Sequence, residues 1–343
     1  MSLVMIDDTD LTNIAHAIRN KLITTDTYTP EEMVVNLLSL TPMGAGLLES
    51  GISNYTYTGP NYDLDDDTHY FFYVLNNRIF YEDKDLKILN IPYPNYVRLP
   101  ESCFNNCSNL TEVDIPGVFE IQQNCFNGCE NLTTARFGFS KGMIALSSVC
   151  DIYPKAFYNC SNLEKIIVAE KDYDNEIENI WDEAFSNCVK FKGFFRDDGR
   201  CFKVGNLRNK SFYNCKELNF LAFDSAVNDG GSQAPFYNCP NLKALCTDGK
   251  FFVYDNNVIA NNCGGNNGGI DLWLTGPAED NDYASDRKAS SCFQSTTIKN
   301  VYVSQEHYDS YMNSVEWSTL TSKIKAHPIF EEDYLQEIAK LYV

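Results

Sequence analysis

The 343-residue sequence is poor in basic residues and in histidine. It has 27 lysines and arginines against 47 aspartates and glutamates, a formal net charge of −20, and only 4 histidines. Nucleic acids and anionic membrane surfaces both require a basic protein surface, so the composition argues against both partners. The histidines (His16, His69, His307 and His327) are scattered, and none has a nucleophile at motif spacing. The sequence therefore predicts no enzyme.

Long hydrophobic runs are also missing. No stretch of about 18 apolar residues occurs, and we therefore expect no transmembrane helix and no membrane insertion. Residues Met1 to Asp8 lack the basic start and apolar core of a signal peptide. We expect that the chain does not use the general secretory route on a signal of its own.

One repeated unit organises most of the chain: an aromatic residue, a cysteine three positions later, and an apolar residue three positions after that. Its phenylalanines are 22, 31, 28, 27 and 24 residues apart, as expected for coils of a leucine-rich solenoid with loop insertions. Alternating apolar residues after each unit predict one short strand per coil. The units are Phe104/Cys107/Leu110, Phe126/Cys129/Leu132, Phe157/Cys160/Leu163, Phe185/Cys188/Phe191, Phe212/Cys215/Leu218 and Phe236/Cys239/Leu242.

The residue before each repeat cysteine is always asparagine or glycine, which predicts a left-handed backbone conformation at that position. These residues are Asn106, Gly128, Asn159, Asn187, Asn214 and Asn238.

The 13 cysteines are interpreted mainly as core residues. Six of them fall in repeat register, and small, weakly polar thiols suit a buried ladder. The alternative is a zinc site formed by Cys103, Cys107, Cys125 and Cys129. The two members of each pair should face different directions, which argues against the tetrahedral geometry that zinc requires. We therefore expect no metal and no cofactor.

The unit resembles the BspA-like class of leucine-rich repeats, most clearly in AFYNCSNLEKIIV from Ala156 to Val168. The resemblance runs from about Leu99 to the end of the array, and it implies an α/β solenoid with short strands. The fourth unit departs from the pattern, because Phe191 replaces leucine and Arg196 occupies an inward strand position. We expect that coil to be distorted, with a small hairpin turning at residues 197–199.

The C-terminal part also looks like the strand and two short helices that close many such arrays. The residues that carry this likeness are Val301, Tyr302, Val303, Tyr308, Tyr311, Trp317 and Ile324. The likeness implies a C-terminal helical cap.

Residues 1–40 are predicted to form a helical hairpin, with Asp10 and Thr29 as N-caps. The segment DLTNIAHAIRNKLITTDTYTPEEMVVNLL, residues 10–38, resembles the N-terminal module of tail-associated structural proteins of phages and prophages. The resemblance implies an attachment or oligomerisation module that contacts other tail proteins. The alternative is a hairpin that only caps the solenoid or forms a homo-oligomer.

The remaining boundaries follow from composition. Residues 41–68 read as a linker, and its aspartates at 63 and 65–67 lack the glycine and distal glutamate of an EF-hand calcium loop. Residues 69–303 are assigned to the solenoid, beginning with a hairpin around residues 76–78. Residues 304–343 are assigned to the cap and an amphipathic tail from Ile329 to Val343, which packs on the last coil or meets another chain.

Partner-binding residues are predicted on the outward side of the repeat strands. Ile167, Phe195 and Phe220 form an apolar strip there, and Tyr302 faces the same way on the last strand. Exposed apolar patches tend to mark interaction sites. The alternative is that insertion loops fold over the strip and bury it.

We therefore predict a non-enzymatic binding or adhesion protein. The resemblance implies a tail-associated phage or prophage protein, virion-borne or extracellular, that presents its repeat surface to a protein or glycan of a host cell. The alternative is a bacterial cell-surface or intracellular leucine-rich repeat module for protein interaction.

Overall fold

The computed structural model describes residues 54–56, 73–74, 80–90, 97–139, 150–169, 177–226, 234–248, 259–278, 288–330 and 334–343. Over these ranges the chain is a solenoid of short parallel strands connected by turns. The predicted helical hairpin of residues 1–40 lies outside the described residues, and so does the aspartate cluster of the linker.

The strands form two long parallel rows, one on each of two sides of the solenoid. In row one, β10 and β12 are not hydrogen-bonded neighbours, whereas the other successive strands are. The strands of row one are β1 (Asn54–Thr56), β3 (Ile88–Asn90), β5 (Glu112–Ile121), β6 (Thr134–Phe139), β8 (Lys165–Val168), β10 (Gly193–Arg196), β12 (Phe220–Ala226), β14 (Ala244–Thr247), β16 (Ile270–Leu274), β18 (Ile298–Val303) and β19 (Ile324–Ala326).

Row two contains the C-terminal halves of β5 and β12 together with β2 (Tyr73–Val74), β4 (Val97–Leu99), β7 (Cys150–Ile152), β9 (Ile177–Ile180) and β11 (Val204–Leu207). A small third sheet, on the side of the phenylalanine turns, contains β13 (Phe236–Tyr237), β15 (Ala260–Asn261) and β17 (Phe293–Gln294).

Helices are few and short in the described ranges. They are α1 (Tyr308–Asn313), α2 (Tyr334–Lys340) and 3₁₀ turns at Gly265–Asn267, Ala289–Cys292 and Thr321–Lys323. None of them has the length and apolar character needed to cross a membrane.

The α/β expectation is wrong for the coils, which contain strands and turns. The physical reason lies in the turn around the repeat phenylalanine, which has a left-handed residue on either side in five of the six units. Around Phe157 these are Lys155 (φ 58°) and Asn159 (φ 60°). A right-handed helix cannot include two such residues within five positions. The predicted left-handed conformation before each repeat cysteine is confirmed, with φ between 58° and 74° at all six positions.

The solenoid extends beyond both predicted ends. Strand β1 lies inside the predicted linker and pairs in parallel with β3. Phe80 stacks on Phe104 at 5.2 Å, so residues 80–90 form a further coil where the sequence predicted part of a hairpin. At the other end β19 pairs with β18, so row one continues to Ala326.

Stacked phenylalanines run through the centre of the core. Neighbouring rings from Phe80 to Phe236 lie 5.0 to 5.6 Å apart and within 11° of parallel. Each ring is almost fully buried, and offset stacking at this distance adds to the burial energy. One phenylalanine per coil therefore holds neighbouring coils in register.

The repeat cysteines form a second ladder, in which each thiol donates a hydrogen bond to the carbonyl of a phenylalanine in the preceding coil. The Sγ to O distances include 3.1 Å for Cys129 to Phe104 and 3.0 Å for Cys160 to Phe126. Cys263 continues the series, 3.4 Å from the carbonyl of Phe236. Cysteine suits this position because it fills a small apolar space and still satisfies a buried backbone acceptor.

The left-handed asparagines form a third ladder along the turn. Asn187 Nδ2 donates to Asn159 Oδ1 at 2.9 Å, and Asn214 repeats the bond to Asn187 at 2.9 Å. Gly128 interrupts the ladder, because a Cβ there would lie 2.3 Å from Asn106 Oδ1. The missing Cβ of Gly128 therefore leaves room for the amide of Asn106.

The fourth coil is distorted, as its sequence predicts. After Phe194 the chain folds back as a hairpin, in which Phe202 N donates to the Phe194 carbonyl at 2.9 Å. Arg196 stacks over the Phe202 ring at 5.3 Å, and Phe202 is buried in the core. This hairpin occupies the edge of β10, which explains the break in the ladder between β10 and β12.

Candidate interaction surface

The outward side of row one changes from polar to apolar along the solenoid. Its early strands present Glu112, Asp114, Thr134, Arg136 and Lys165, all at least partly exposed. The later strands present small and aromatic residues at the same two register positions, apart from Asp271, which is in register with Ala244. We call this apolar part the Trp273 face; it consists of Phe220, Ala222, Ala244, Cys246 and Trp273.

The Trp273 face is covered by the end of the chain. Residues 329–330 and 334–343, here called the C-terminal segment, lie across it and bury Ile338 and Ala339. No residue of the face is more than 3% exposed. The tail, which the sequence assigned either to the last coil or to another chain, thus packs on the middle and later coils of its own solenoid.

Specific hydrogen bonds fix the C-terminal segment. The Gln336 amide accepts from Cys201 N and donates to Cys201 O, both at 2.9 Å. The Tyr342 hydroxyl donates to Asp271 Oδ2 at 2.8 Å and accepts from Trp273 Nε1 at 3.0 Å. Burial raises the pKa of Tyr342 above its usual value. The hydroxyl therefore remains a donor to the carboxylate at physiological pH.

The four predicted partner-binding residues have different environments. The expected exposure of Phe220 is wrong, because only 3% of it is exposed and its ring stacks on Tyr342 at 6.1 Å. Phe195 and Tyr302 are half-buried at the two margins of the C-terminal segment. Ile167 is half-buried outside it. Whether any of these residues binds a partner stays a prediction.

Ile167 lies beneath a salt bridge that crosses from the hairpin of the fourth coil. In register it lies between Arg136 and Phe195. Asp197 at the hairpin turn binds Arg136 in a bidentate pair at 2.8 and 2.9 Å. Arg136 also donates to Asp114 at 3.0 Å. The strip is therefore covered partly by a hairpin, as the alternative expected, and mainly by the chain terminus.

The outward side of row two carries a polar ladder in two hydrogen-bonded stretches. Arg98 Nε donates to Glu120 Oε2 at 2.6 Å, and Asn179 Nδ2 donates to Asp151 Oδ1 at 2.8 Å. Asn206 Nδ2 extends the ladder to Asn179 Oδ1 at 3.3 Å. Burial raises the pKa of Asp151, which is only 7% exposed. The ladder is thus an ordered array of hydrogen bonds on this side of the solenoid.

An aromatic row lies next to this ladder. The Tyr153 and Trp181 rings stack at 5.9 Å, 7° from parallel, and the Arg208 guanidinium lies 5.0 Å above the Trp181 ring. Trp181 Nε1 donates to Asp151 Oδ2 at 3.1 Å, so the indole is fixed in place. All three side chains are half-buried. We call the ladder and this row together the Trp181 face; it consists of Arg98, Glu120, Gln122, Asp151, Tyr153, Asn179, Trp181, Asn206 and Arg208.

The Trp181 face was not predicted, although the sequence contains a signal for it. The row-two strands β7 and β9 end on buried apolar residues five positions before the repeat phenylalanines, Ile152 and Ile180. Residues on either side of such a position must point outward. This rule would have selected Asp151 and Tyr153 in one coil and Asn179 and Trp181 in the next.

The described residues offer no arrangement suited to metal binding. In these ranges no three histidine, cysteine, aspartate or glutamate side chains converge as a metal site requires. Burial raises the pKa of Cys107 to about 12 and that of Cys129 well above its usual value, whereas zinc binds thiolates. His327 packs its ring against Trp273 at 5.0 Å.

The family model for the BspA type leucine rich repeat region matches in 6 copies, over residues 72–146 and 139–264. The chain belongs to this family. No curated protein matches it. Among solved structures, it is similar to a leucine rich cell surface protein from Faecalibacterium prausnitzii A2-165, with 16% identity over 68% of this chain and 78% of that chain and a TM-score of 0.24.

Proposed function

We propose that the protein is a non-enzymatic binding protein that recognises a protein partner through the Trp181 face. The observation that carries the proposal is the fixed row of Tyr153, Trp181 and Arg208. Tyrosine, tryptophan and arginine are the residue types that dominate binding energy at protein interfaces. No other described surface combines all three in contact.

The geometry favours a protein partner over a glycan. Sugars bind by lying on the open face of an aromatic ring, yet one face of Trp181 is covered by Tyr153 and the other by Arg208. The rings therefore present their edges to solvent. An edge-on aromatic row fits between side chains of a partner protein and adds apolar contact area there.

Preorganisation supports the same proposal. The hydrogen bond from Trp181 to Asp151 and the stacking on Tyr153 hold the indole in one rotamer before any partner arrives. An interface side chain that is already ordered does not lose conformational entropy on binding, and this loss costs about 0.5–1.5 kcal/mol per flexible side chain.

Binding to envelope proteins of the source or host cell tests the proposal. We expect Trp181→Ala in the full chain to weaken capture of a purified binding protein by about 30-fold, the factor for a hot-spot loss of about 2 kcal/mol. Tyr158→Ala is the matched control, because it removes a half-buried tyrosine on another side of the solenoid. A glycan array is probed in parallel with both variants. Unchanged capture by the Trp181 variant, or glycan binding that this variant loses, would contradict a protein-binding Trp181 face.

The finer assignment, to a phage or prophage tail or to a bacterial cell surface, remains a proposal. The tail assignment depends on the resemblance of residues 10–38, and the family match begins at residue 72. We expect light scattering to give a defined oligomer for the full chain and a monomer for a chain beginning at Gly51, which retains β1. Monomers in both cases would favour a free-standing bacterial repeat protein in which residues 1–40 have no assembly role.

A further inference from the structure

The cysteine ladder ends on a thiol that is held less firmly than the others. For the six ladder cysteines before Cys263, the distance from Sγ to the phenylalanine carbonyl oxygen of the preceding coil is between 2.8 and 3.2 Å. Cys263 Sγ lies 3.4 Å from the carbonyl oxygens of both Phe236 and Asn261. A thiol at equal distance from two acceptors is not held in one direction. Cys263 is therefore the ladder thiol that turns most easily.

The coil of Cys263 also lacks the phenylalanine that holds the other coils together. In register, Ala260 takes the place of Phe236, so the continuous stack of rings ends one coil before Cys263. Each of the other ladder cysteines follows a buried phenylalanine by three positions. The coil of Cys263 is therefore without the ring contacts that keep neighbouring turns in register.

The turn after Cys263 has few side chains. Four of residues 264–269 are glycines, and a Cβ at Gly265 or Gly268 would meet no atom within 4 Å. The two asparagine side chains of the turn both bind Asn241 of the preceding coil. Although Cys263 is only 2% exposed, a molecule as small as hydrogen peroxide therefore has a path to its thiol past backbone that no side chain covers.

Cys239 lies beside Cys263 on the preceding coil. Asn238 N donates to the Asn261 carbonyl at 3.0 Å, and Asn262 Nδ2 donates to Asn238 Oδ1 at 3.1 Å, so the residues before the two cysteines are bonded to each other. Strands paired in this way lie about 4.8 Å apart, within the Cα separation of about 4.4–6.8 Å that a disulfide spans. The pair can therefore close without a change of fold.

The two thiols differ in acidity. Burial on its own raises the pKa of both sulfurs, and the pKa of Cys239 stays well above its usual value. At Cys263, hydrogen bonds from the Cys239 thiol and from neighbouring backbone groups outweigh burial and lower the pKa. In an interior pair of the ladder, Cys160 and Cys188, the pKa of both thiols is raised. Cys263 is thus suited to attack an oxidant, and Cys239 to attack the oxidised sulfur.

We propose that Cys239 and Cys263 are an oxidisable pair that hydrogen peroxide converts to a disulfide between two coils of the folded chain. The Cys263 thiolate attacks one peroxide oxygen, the O–O bond breaks, and the other oxygen leaves as hydroxide, which takes up the thiol proton. The Cys239 sulfur then attacks the resulting sulfenic acid, the S–O bond breaks, and a second water leaves with the Cys239 proton. The two sulfurs lose two electrons in total, and the peroxide gains two.

The disulfide would have a structural consequence. It would join the coil of Ala260 to the coil of Phe236 at the point where the phenylalanine stack ends. Because disulfides persist only in oxidising surroundings, the link would strengthen this part of the solenoid there and would be absent in a reducing compartment.

Disulfide mapping of the full-length chain tests the proposal. The chain is treated with hydrogen peroxide in native buffer, the remaining thiols are blocked with N-ethylmaleimide, and tryptic peptides are analysed by mass spectrometry without reduction. Cys239 and Cys263 fall in separate tryptic peptides, residues 217–243 and 251–287, and neither contains a second cysteine. We expect their disulfide to form at least about tenfold faster than that of the interior pair, because a pKa difference of one changes the thiolate fraction about tenfold.

Two variants separate the roles of the thiols. Cys239→Ser keeps a hydrogen-bond donor but removes the second sulfur, so we expect a sulfenic acid at Cys263, trapped by dimedone, and no disulfide. Cys160→Ser is the matched control in the interior of the ladder, and we expect it to leave the Cys239–Cys263 disulfide unchanged.

The mapping of the unmodified chain decides the question even if a variant fails to fold. An interior disulfide that forms equally fast would overturn the proposal. So would a Cys239–Cys263 disulfide that is absent in native buffer and appears only at urea concentrations that unfold the chain.

Discussion

Replacing Phe157 by alanine is expected to lower the free energy of unfolding by about 4 kcal/mol, the middle of the range for core Phe→Ala substitutions. Its ring is fully buried and stacks on Phe126 at 5.1 Å and on Phe185 at 5.0 Å. Phe137 adds a tilted contact at 6.1 Å. The substitution therefore leaves a cavity in the middle of the stack and uncouples two neighbouring coils, which we expect urea denaturation to detect.

Tyr158→Ala is the control for this experiment. Tyr158 is the next residue but is half-buried outside the core, and substitutions at such sites usually change stability by less than about 1 kcal/mol. Because a solenoid is stabilised by nearest-neighbour contacts, we also expect the Phe157 variant to lose its single unfolding transition. Equal losses in the two variants would contradict the role of the phenylalanine stack.

A second large loss, of about 3 kcal/mol, is expected for Gly205→Ala, at the upper end of the usual range for overpacking. A Cβ at this position in β11 would lie 2.3 Å from the Glu178 carbonyl oxygen and 2.8 Å from that of Ile177. Both atoms belong to the backbone of β9, so neither can rotate away. The two strands must separate, and thermal unfolding followed by circular dichroism measures the cost.

Gly265→Ala provides the matched control, because a Cβ there would meet no atom within 4 Å and its backbone angle is not in the left-handed region. We expect its stability to remain within about 0.5 kcal/mol of the unmodified chain. If Gly205→Ala changed the stability as little as Gly265→Ala, the close approach of β9 and β11 would be incorrect.

The sequence was sufficient to predict the coils, because the physical cause of each coil is local. In the third repeat unit the residue type indicates the role of each residue. Phe157 stacks, Asn159 adopts the left-handed conformation of the turn, and Cys160 donates the thiol hydrogen bond. The first described coil was missed because Asp83 replaces cysteine, although Phe80 and Leu86 keep their positions. The repeat was therefore recognised by its cysteine, and a coil that keeps only the phenylalanine and the leucine was not recognised.

The candidate site was less accessible to sequence reasoning because it depends on distant contacts. Phe220 has the position of an outward strand residue, and the pattern around it says nothing of Tyr342, which lies more than 100 residues later and stacks on it. Similarly, Tyr153 and Trp181 are brought into contact by the stacking of coils across a chain separation of 28 residues. Strand periodicity gives the side on which a residue lies, and only the assembled fold determines what covers it.

The buried repeat cysteines can be used to measure local unfolding of the solenoid. Twelve of the cysteines are buried and free of disulfides, among them all those of the ladder. Alkylating reagents attack the thiolate, and burial raises the pKa of Cys129, Cys160 and Cys215 well above the ordinary value. Modification of these three sulfurs therefore has to wait until their coils separate from the preceding ones. The order in which the cysteines become labelled, read by mass spectrometry, would map local stability along the solenoid one coil at a time.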